Sequence, residues 1–274
     1  MLKKIIYIFL AFVLIGVFAC NSTQKIIKKG TADQKYELAQ KLYDKGDYIR
    51  AIQLYDELIV LYRGTPKIEQ VYYNYAYAYY KQKDYILASY HFKYYAKSFP
   101  NSSKTEECLY MSALCKYYDS PNYKLEQSST DEAIKEMQLF INLYPSSLRV
   151  AEANKIIDEL RLKLTIKDFE KAKLYYNTEN YKAAAYAFEQ HIKDFPSSIY
   201  KEEAMYLIIK SHFDYAKKSV LSKQADRYQS AIAAYNKYID KFPTGAYDKA
   251  ALKVYKETQQ ELFKLESNEL KTTK

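Results

Sequence analysis

One short pattern returns five times along the chain and limits what it can fold into. A tyrosine is followed three residues later by an alanine at Tyr48/Ala51, Tyr85/Ala88, Tyr181/Ala184 and Tyr228/Ala231, with Thr130/Ala133 as a variant. Twelve residues after the alanine, four of the five copies have a proline preceded by an aromatic residue, at Pro100, Pro145, Pro196 and Pro243. Proline cannot continue a helix and pushes the preceding residue out of the α region, so each proline predicts a helix end.

The stretch Glu69–Ser103 contains one complete unit. Two runs with helical spacing, separated by a polar break at Lys81–Asp84, contain Tyr72, Tyr75, Ala76 and Tyr79, and then Tyr85, Ala88, Phe92 and Tyr95. These positions resemble the consensus of the tetratricopeptide repeat, a helical hairpin with small residues where its helices approach each other. A single hairpin leaves both flanks exposed, so the resemblance implies a stack of hairpins.

We therefore predict an all-α fold, an α-α superhelix of about five tetratricopeptide-like hairpins with a C-terminal capping helix. The hairpins are predicted at approximately residues 33–66, 69–103, 106–147, 165–198 and 202–245. An amphipathic connector over 148–164 precedes the fourth, and a polar extension over 217–225 separates the helices of the fifth. Ser102, Ser147 and Ser198 are placed to cap the following helices. The capping helix is predicted over 246–266 and a disordered tail over 267–274.

Composition favours a helical array over other kinds of fold. The 274 residues include only 5 Gly and 6 Pro, which argues against many short strands. Tyr is unusually frequent, at 33 residues, and its ring and hydroxyl suit half-buried helix faces and binding grooves. The formal net charge is +9, but lysines and glutamates are interspersed. We therefore expect a solvated helical surface and no nucleic-acid partner.

The N-terminus predicts export and lipid anchoring. Residues 1–19 have a basic start and an apolar run too short to span a membrane, as in a secretory signal peptide. The sequence Val17-Phe18-Ala19-Cys20 resembles the bacterial lipobox, which implies a covalent lipid on Cys20 and attachment to a bilayer through three acyl chains. Asn21, where an aspartate would imply retention at the inner membrane, favours the outer membrane. Residues 20–32 are predicted to be a lipid-anchored linker without packing of its own. The alternative is an ordinary signal peptide with an unrelated cysteine.

No motif for catalysis or metal binding occurs in the sequence. Cys108 and Cys115 are seven residues apart on one helix, which separates their Cα atoms by roughly 10 Å, so we predict two core residues and no disulfide. His91, His191 and His212 are far apart and lack partners at metal-ligand spacing. We predict no catalytic residue, no metal and no cofactor besides the lipid. An enzyme carrying such repeats would need a catalytic domain for which this chain has no room.

Together these features resemble the BamD (ComL/YfiO) family, tetratricopeptide lipoproteins of the machine that assembles β-barrels in the outer membrane. The resemblance covers nearly the whole mature chain. It rests on Cys20, the five repeats, the third-repeat insertion Ser120-Pro121…Gln127…Thr130…Ala133-Ile134, the run Leu160-Arg161…Leu164, and Phe140-Ile141…Tyr144-Pro145-x-Ser147. The chain departs from the family in its heavy Tyr content and in Arg63, where the first repeat would have a proline.

The resemblance implies a non-enzymatic scaffold on the periplasmic face of the outer membrane. Family members bind the POTRA portion of the barrel-forming, BamA-like subunit through C-terminal repeats, and their N-terminal repeats form a groove proposed to take extended segments of unfolded outer-membrane proteins. The positions that would line this groove are Tyr36, Gln40, Tyr43, Tyr73, Tyr77 and Tyr80. Their rings and hydroxyls suit an extended segment with aromatic side chains, or they only fill a tight superhelix. The alternative function is another periplasmic binding lipoprotein, for cell-envelope maintenance of the Tol–Pal type.

Overall fold

A computed structural model describes residues 23–272. The predicted signal peptide, Cys20 and the last two residues lie outside the described residues. The described chain is all-α, as predicted. Its helices are α1 (Ala32–Asp44), α2 (Tyr48–Leu61), α3 (Lys67–Gln82), α4 (Tyr85–Ser98), α5 (Thr105–Asp119), α6 (Ser128–Leu143), α7 (Val150–Asn177), α8 (Tyr181–Asp194), α9 (Lys201–Lys217), α10 (Leu221–Lys241) and α11 (Asp248–Thr272). Within this range, no helix is apolar enough over a sufficient length to cross a membrane.

The helices pair into the five predicted hairpins, α1–α2, α3–α4, α5–α6, α7–α8 and α9–α10. The aspartates before α2 and α4 cap those helices, since Asp47 accepts from Arg50 N at 3.3 Å and Asp84 from Leu87 N at 3.1 Å. The aromatic residue before each marker proline leaves the helical conformation, at Phe99, Tyr144, Phe195 and Phe242. The prolines therefore end the second helices, as predicted.

The chain divides into two compact units, Met1–Leu160 and Arg161–Lys274, with the boundary inside α7. In the first unit, Ala76, Ala88 and Phe92 are fully buried between helices. In the second unit, Ala184 and Phe188 occupy the corresponding core positions. The small residues let the helix backbones approach while the rings fill the remaining volume, which is the arrangement that the repeat pattern predicts.

The segment before α1 differs from the prediction. Residues 23–29 are helical, and Ile26 and Ile27 pack against the core of the first hairpin. Gly30 N donates to Ile26 O at 2.8 Å, and a Cβ at Gly30 would lie only 2.5 Å from that oxygen. Glycine therefore permits a close approach here. The expectation that this part of the linker has no packing was wrong, because two isoleucines give the short helix an apolar side to bury.

Three other boundaries differ from the prediction. The predicted connector and the first helix of the fourth hairpin form one helix, α7, because neither Gly nor Pro occurs within Val150–Asn177. The expected polar extension of the fifth hairpin is mostly helical, since α9 ends at Lys217 and α10 begins at Leu221. Helix α11 continues to Thr272, beyond the expected end at Glu266, through residues that favour helices.

A polar contact closes the open end of the hairpins, and we call this contact the clasp. In the second hairpin, Glu69 accepts from Tyr95 Oη at 2.8 Å and from Ser102 Oγ at 2.6 Å. In the third, Glu106 accepts from Ser147 Oγ at 2.5 Å. A half-buried carboxylate thus ties the start of the first helix to the turn after the second.

The clasp explains why the predicted serine caps were wrong. Ser102, Ser147 and Ser198 lie three residues before the helices that they were expected to cap. Each hydroxyl instead accepts from the backbone N–H two residues later, at 3.1–3.2 Å. These serines therefore order the turn between hairpins and do not cap a helix.

Candidate protein-binding face

The six predicted groove residues lie on α1 and α3, the first helices of the first two hairpins. All six are half-buried. The structure brings Tyr36 and Gln40 together with Asn74, whose Nδ2 donates to Tyr36 Oη at 3.4 Å and to Gln40 Oε1 at 3.1 Å. The first helices of neighbouring hairpins therefore present their side chains on one common surface, which we call the first-helix face and which includes the start of α5.

A line of polar side chains crosses the first-helix face. Gln40 Nε2 donates to Asp44 at 3.1 Å, Gln70 Nε2 donates to Asn74 Oδ1 at 2.7 Å, and Lys104 Nζ donates to Gln70 Oε1 at 2.5 Å. With the bond from Asn74 to Gln40, these contacts join α1, α3 and the residue before α5. We call this set the polar line. Hydrogen bonds among its amides already fix their orientation, so little side-chain entropy is lost when a ligand binds to them.

Beside the polar line, tyrosine rings form a wall. The rings of Tyr73 and Tyr77 have centroids 4.8 Å apart, and Lys104 Nζ lies 4.3 Å from the centroid of Tyr73. Tyr73 Oη donates to Glu107 Oε1 at 2.9 Å, and Tyr77 Oη donates to the same oxygen. Burial, with Glu107 as a further contribution, raises the pKa of Tyr73 to about 12 and raises that of Tyr77 further. Both hydroxyls therefore stay protonated at physiological pH.

The remaining two predicted residues lie at the ends of their helices. Tyr80 lies between the rings of Tyr85 and Tyr118, at centroid distances of 6.0 and 6.3 Å. Tyr43 packs edge-on against Tyr48, at 5.4 Å. Both therefore contribute to packing within or between hairpins, at the margin of the face.

The first-helix face combines packing with an accessible polar surface. The hydroxyls of Tyr73 and Tyr77 are already used within the protein, so these rings act partly as the packing that the sequence left open as an alternative. A shallow pocket of about 450 Å³ adjoins Tyr36 and Gln40. The polar line and this pocket can take the backbone amides and side chains of an extended peptide. Gln70, Asn74, Lys104 and Glu107 were not predicted from the sequence, although Gln70 and Asn74 lie one turn apart on the same helix as Tyr73 and Tyr77.

In the second unit, three residues form an Asp-His-Ser arrangement that resembles a hydrolase triad. His191 Nδ1 lies 3.0 Å from Asp168 Oδ2, and His191 Nε2 lies 2.9 Å from Ser198 Oγ. His191 is fully buried, and Ser198 Oγ also accepts from Tyr200 N at 3.1 Å. Tyr95 and Tyr238 occupy the position of His191 in the second and fifth hairpins, each five residues before the marker proline. The arrangement therefore occupies the clasp position of the fourth hairpin, and its histidine ring belongs to the core.

The cysteines occupy the core, as predicted. Cys108 and Cys115 are fully buried and free, and burial raises the pKa of each thiol to about 12. They are therefore unreactive thiols that fill space between helices. Among residues 23–272, no three histidine, cysteine or acidic side chains come together as metal ligands would.

Comparison with known proteins shows which families and relatives this chain resembles. A family model described as an outer membrane lipoprotein, YfiO, matches residues 28–223, and a tetratricopeptide repeat model matches residues 203–245. The chain is 24% identical over 220 residues to the outer membrane protein assembly factor BamD of Pasteurella multocida, covering 75% of this chain and 83% of that protein. It is 23% identical over 192 residues to the BamD of Vibrio cholerae, covering 66% of this chain and 80% of that protein.

Proposed function

We propose, from the premise that this chain belongs to the YfiO (BamD) family of outer membrane lipoproteins, that it is a scaffold of the machinery that assembles outer-membrane proteins. The observation that carries the proposal is the family match over most of the chain, together with relatives that are named outer membrane protein assembly factors. A stack of helical hairpins suits this role because it offers extended surfaces without needing a catalytic centre.

The proposed scaffold has two kinds of protein partner. The C-terminal repeats bind the POTRA region of the barrel-forming subunit, and the first-helix face binds extended segments of unfolded outer-membrane proteins. The polar line supports the second interaction, because it offers amide donors and acceptors beside tyrosine rings. Such a surface can accept many sequences, since backbone groups and aromatic side chains recur in all of them.

The proposed location is the periplasmic face of the outer membrane. A lipid on Cys20 would hold the mature chain there. Ile26 and Ile27, six and seven residues after Cys20, pack against the first hairpin, so the folded part of the chain begins close to the proposed anchor. We expect mass spectrometry of the native protein to find a lipid-modified cysteine at the mature N-terminus.

Co-purification tests the assembly function. The full chain, extracted from native membranes in detergent, is expected to bring with it a barrel protein with POTRA domains. Failure to recover such a protein, with recovery of Tol–Pal components instead, would favour the alternative of a cell-envelope maintenance lipoprotein.

A matched pair of double variants tests the first-helix face. Gln70→Ala with Asn74→Ala removes two amides of the polar line, whereas Gln138→Ala with Asn142→Ala removes the same i,i+4 pair from the exposed side of α6. We expect the first double variant to reduce photo-crosslinking of unfolded outer-membrane protein to a probe at Gln40, and the second to leave it unchanged. Equal crosslinking in both would contradict substrate binding at this face.

A further inference from the structure

A groove on the second unit contains an open pocket. In the corresponding groove of the first unit, side chains fill this space. The pocket measures about 610 Å³ and lies between α8 and α10, over α9. Met205 and Ile208 form its floor, Ala233 and Ala234 form its wall, and lysines form its rim. We call it the basic pocket. All of its residues belong to the second unit.

The clasps align the two grooves residue by residue along their first helices. Glu69 in α3 and Glu202 in α9 accept from the equivalent tyrosines, Tyr95 and Tyr238, at 2.8 and 2.9 Å. Counted from these glutamates, Tyr72 corresponds to Met205 and Tyr75 to Ile208. The large rings of α3 are thus replaced by slimmer aliphatic side chains in α9.

The same comparison holds along the second helices, counted from Tyr95 in α4 and Tyr238 in α10. The corresponding pairs are Tyr90 and Ala233, His91 and Ala234, and Tyr94 and Lys237. Two rings of α4 are therefore replaced by methyl groups in α10, and a third ring is replaced by a lysine.

In the first unit, aromatic rings fill this groove. The ring of His91 lies 4.5 Å from Tyr75 and 5.1 Å from Tyr90, and Tyr72 lies 5.1 Å from Tyr94, between centroids. We call this set the aromatic groove. The second unit keeps one ring along this groove, His212 at the position of Tyr79, and lacks the other rings, so the basic pocket is open for want of side-chain volume. An open cleft of this size, apolar inside and charged at its rim, has the dimensions of a ligand pocket.

The rim of the basic pocket carries an excess of positive charge. Lys201, Lys237 and Lys241 line it, against one carboxylate, Glu189. Within the described residues, none of the three lysines has a carboxylate within 4 Å; Lys201 Nζ instead donates to Pro196 O at 2.7 Å. Lys201 lies at the start of α9 and Lys241 at the end of α10, so the charge gathers at the clasp end of the hairpin.

We propose that the basic pocket is the docking site for an acidic segment of a partner protein, which inserts an apolar side chain between α8 and α10. The inference rests on the proposed function only in that the partner of a scaffold is a protein. The charge of the rim favours an acidic ligand, and the floor of Met205 and Ile208 favours an apolar group beside that charge. A small inorganic anion would leave this floor exposed to water.

The methionines provide a direct probe of this proposal. The chain has 4 Met, of which Met205 lies in the basic pocket, while Met111 and Met137 are buried in the first unit. We expect the ¹³C-methyl NMR signal of Met205 in the full mature chain to shift on titration with a peptide in which leucine and phenylalanine are flanked by glutamates. The signals of Met111 and Met137 should stay in place, and a peptide with lysines instead of glutamates should have no effect.

Variants that remove a lysine charge test the contribution of the rim without changing the packing of the floor. Lys237→Gln and Lys241→Gln should each raise the Kd of the acidic peptide by about two- to fivefold. The control, Lys249→Gln with Lys256→Gln on exposed positions of α11, should leave the Kd unchanged. A third variant, Ala234→His, supplies the ring that His91 places in the aromatic groove and should abolish the shift of Met205.

Three outcomes would overturn the proposal. They are no shift of Met205 at millimolar acidic peptide, equal shifts with both peptides, or an equal shift with inorganic phosphate alone. None of them bears on co-purification with a barrel protein, so the docking site and the assembly function can fail separately.

Discussion

The aromatic groove and the basic pocket occupy corresponding positions in two hairpins of one chain, and they differ in the side chains that line them. In the aromatic groove, rings from α3 and α4 meet at centroid distances of 4.5–5.1 Å. In the basic pocket, aliphatic residues, alanines and lysines leave about 610 Å³ open. The repeat fold thus sets where a groove lies, while side-chain volume decides whether the groove becomes core or remains a surface for a partner.

The largest expected effect comes from removing a ring of the aromatic groove. Tyr75 is only 6% exposed, so Tyr75→Ala leaves a cavity and should lower the free energy of unfolding by about 3–5 kcal/mol. Ile208 holds the same position beside the open pocket, and Ile208→Ala should cost only about 2 kcal/mol, at the lower end for such a change.

Native-state hydrogen exchange on the full mature chain distinguishes these two effects, because it reports each hairpin separately. The amides of α3 and α4 should lose more protection in Tyr75→Ala than those of α9 and α10 lose in Ile208→Ala. Equal losses would mean that the basic pocket is as tightly packed as the aromatic groove, and would remove the basis of the comparison.

The second expected effect concerns the clasps at the ends of the two grooves. In the fifth hairpin, Glu202 alone accepts from Tyr238 Oη at 2.9 Å and from Tyr247 N at 3.0 Å, and Gly245 stands where the second hairpin has Ser102. A Cβ at Gly245 would collide with the Glu202 carboxylate, so the missing side chain is what admits that carboxylate. Glu202→Ala therefore leaves the buried hydroxyl of Tyr238 unsatisfied and should cost about 2–3 kcal/mol.

In the second hairpin, the same change should cost less. After Glu69→Ala, Tyr95 Oη keeps Ser102 Oγ as a partner at 2.8 Å, so we expect a loss of about 1 kcal/mol. Urea titrations followed by hydrogen exchange of each hairpin would measure both values. A larger loss for Glu69→Ala would show that the serine does not replace the carboxylate.

The hairpins could be predicted from the sequence because their signals are local. The tyrosine–alanine spacing, the marker prolines and the polar breaks lie within one unit, so they located five hairpins and the capping helix. The continuity of α7 was missed although Val150–Asn177 contains no helix breaker. The repeat spacing predicts a boundary near residue 165, but no glycine or proline is present there to end the helix.

The sites could be predicted only in part, because they depend on contacts between distant residues. The polar line joins Gln40, Asn74, Gln70 and Lys104 across neighbouring hairpins, and only Gln40 was predicted. The basic pocket has a sequence signal, but it appears only when the fifth hairpin is aligned with the second on Glu69 and Glu202. Alanines and lysines then stand where the second hairpin has rings, which no motif search detects.

A third, smaller effect is the pH dependence of the aromatic groove. Burial lowers the pKa of His91 to about 4, against the opposing influence of Asp56 and Asp84. Between an unfolded value of about 6.5 and this folded value, the unfolded chain binds a proton that the folded chain does not. Stability should therefore fall as the pH drops from about 6.5 to 4. Because the ring is partly solvent-screened, we expect about 1 kcal/mol.

His91→Phe keeps the ring contacts and removes the titration, so it should flatten the stability profile of α3 and α4 over this pH range. Thermal unfolding from pH 7 to pH 4 measures the slope. An unchanged slope in His91→Phe would assign the pH dependence to other groups, such as the clasp carboxylates Glu69 and Asp168, whose pKa values are lowered by their hydrogen bonds with Ser102 and His191, respectively.

The smallest expected effect is at the outer edge of the aromatic groove. Tyr90 is 61% exposed and touches the rings of His91 and Tyr94 from outside, at 5.1 and 6.4 Å. Tyr90→Ala copies Ala233 of the basic pocket, yet it should cost only about 0.5 kcal/mol, because most of this ring is already in water. It should also create no binding site, since Tyr72 and Tyr75 still fill the floor and Tyr94 still occupies the position of Lys237. The decisive measurement is binding of the acidic peptide to the first unit of Tyr90→Ala at 150 mM salt, about physiological ionic strength. Binding there would show that the wall alanine defines the pocket, and that the open floor and the lysine rim do not.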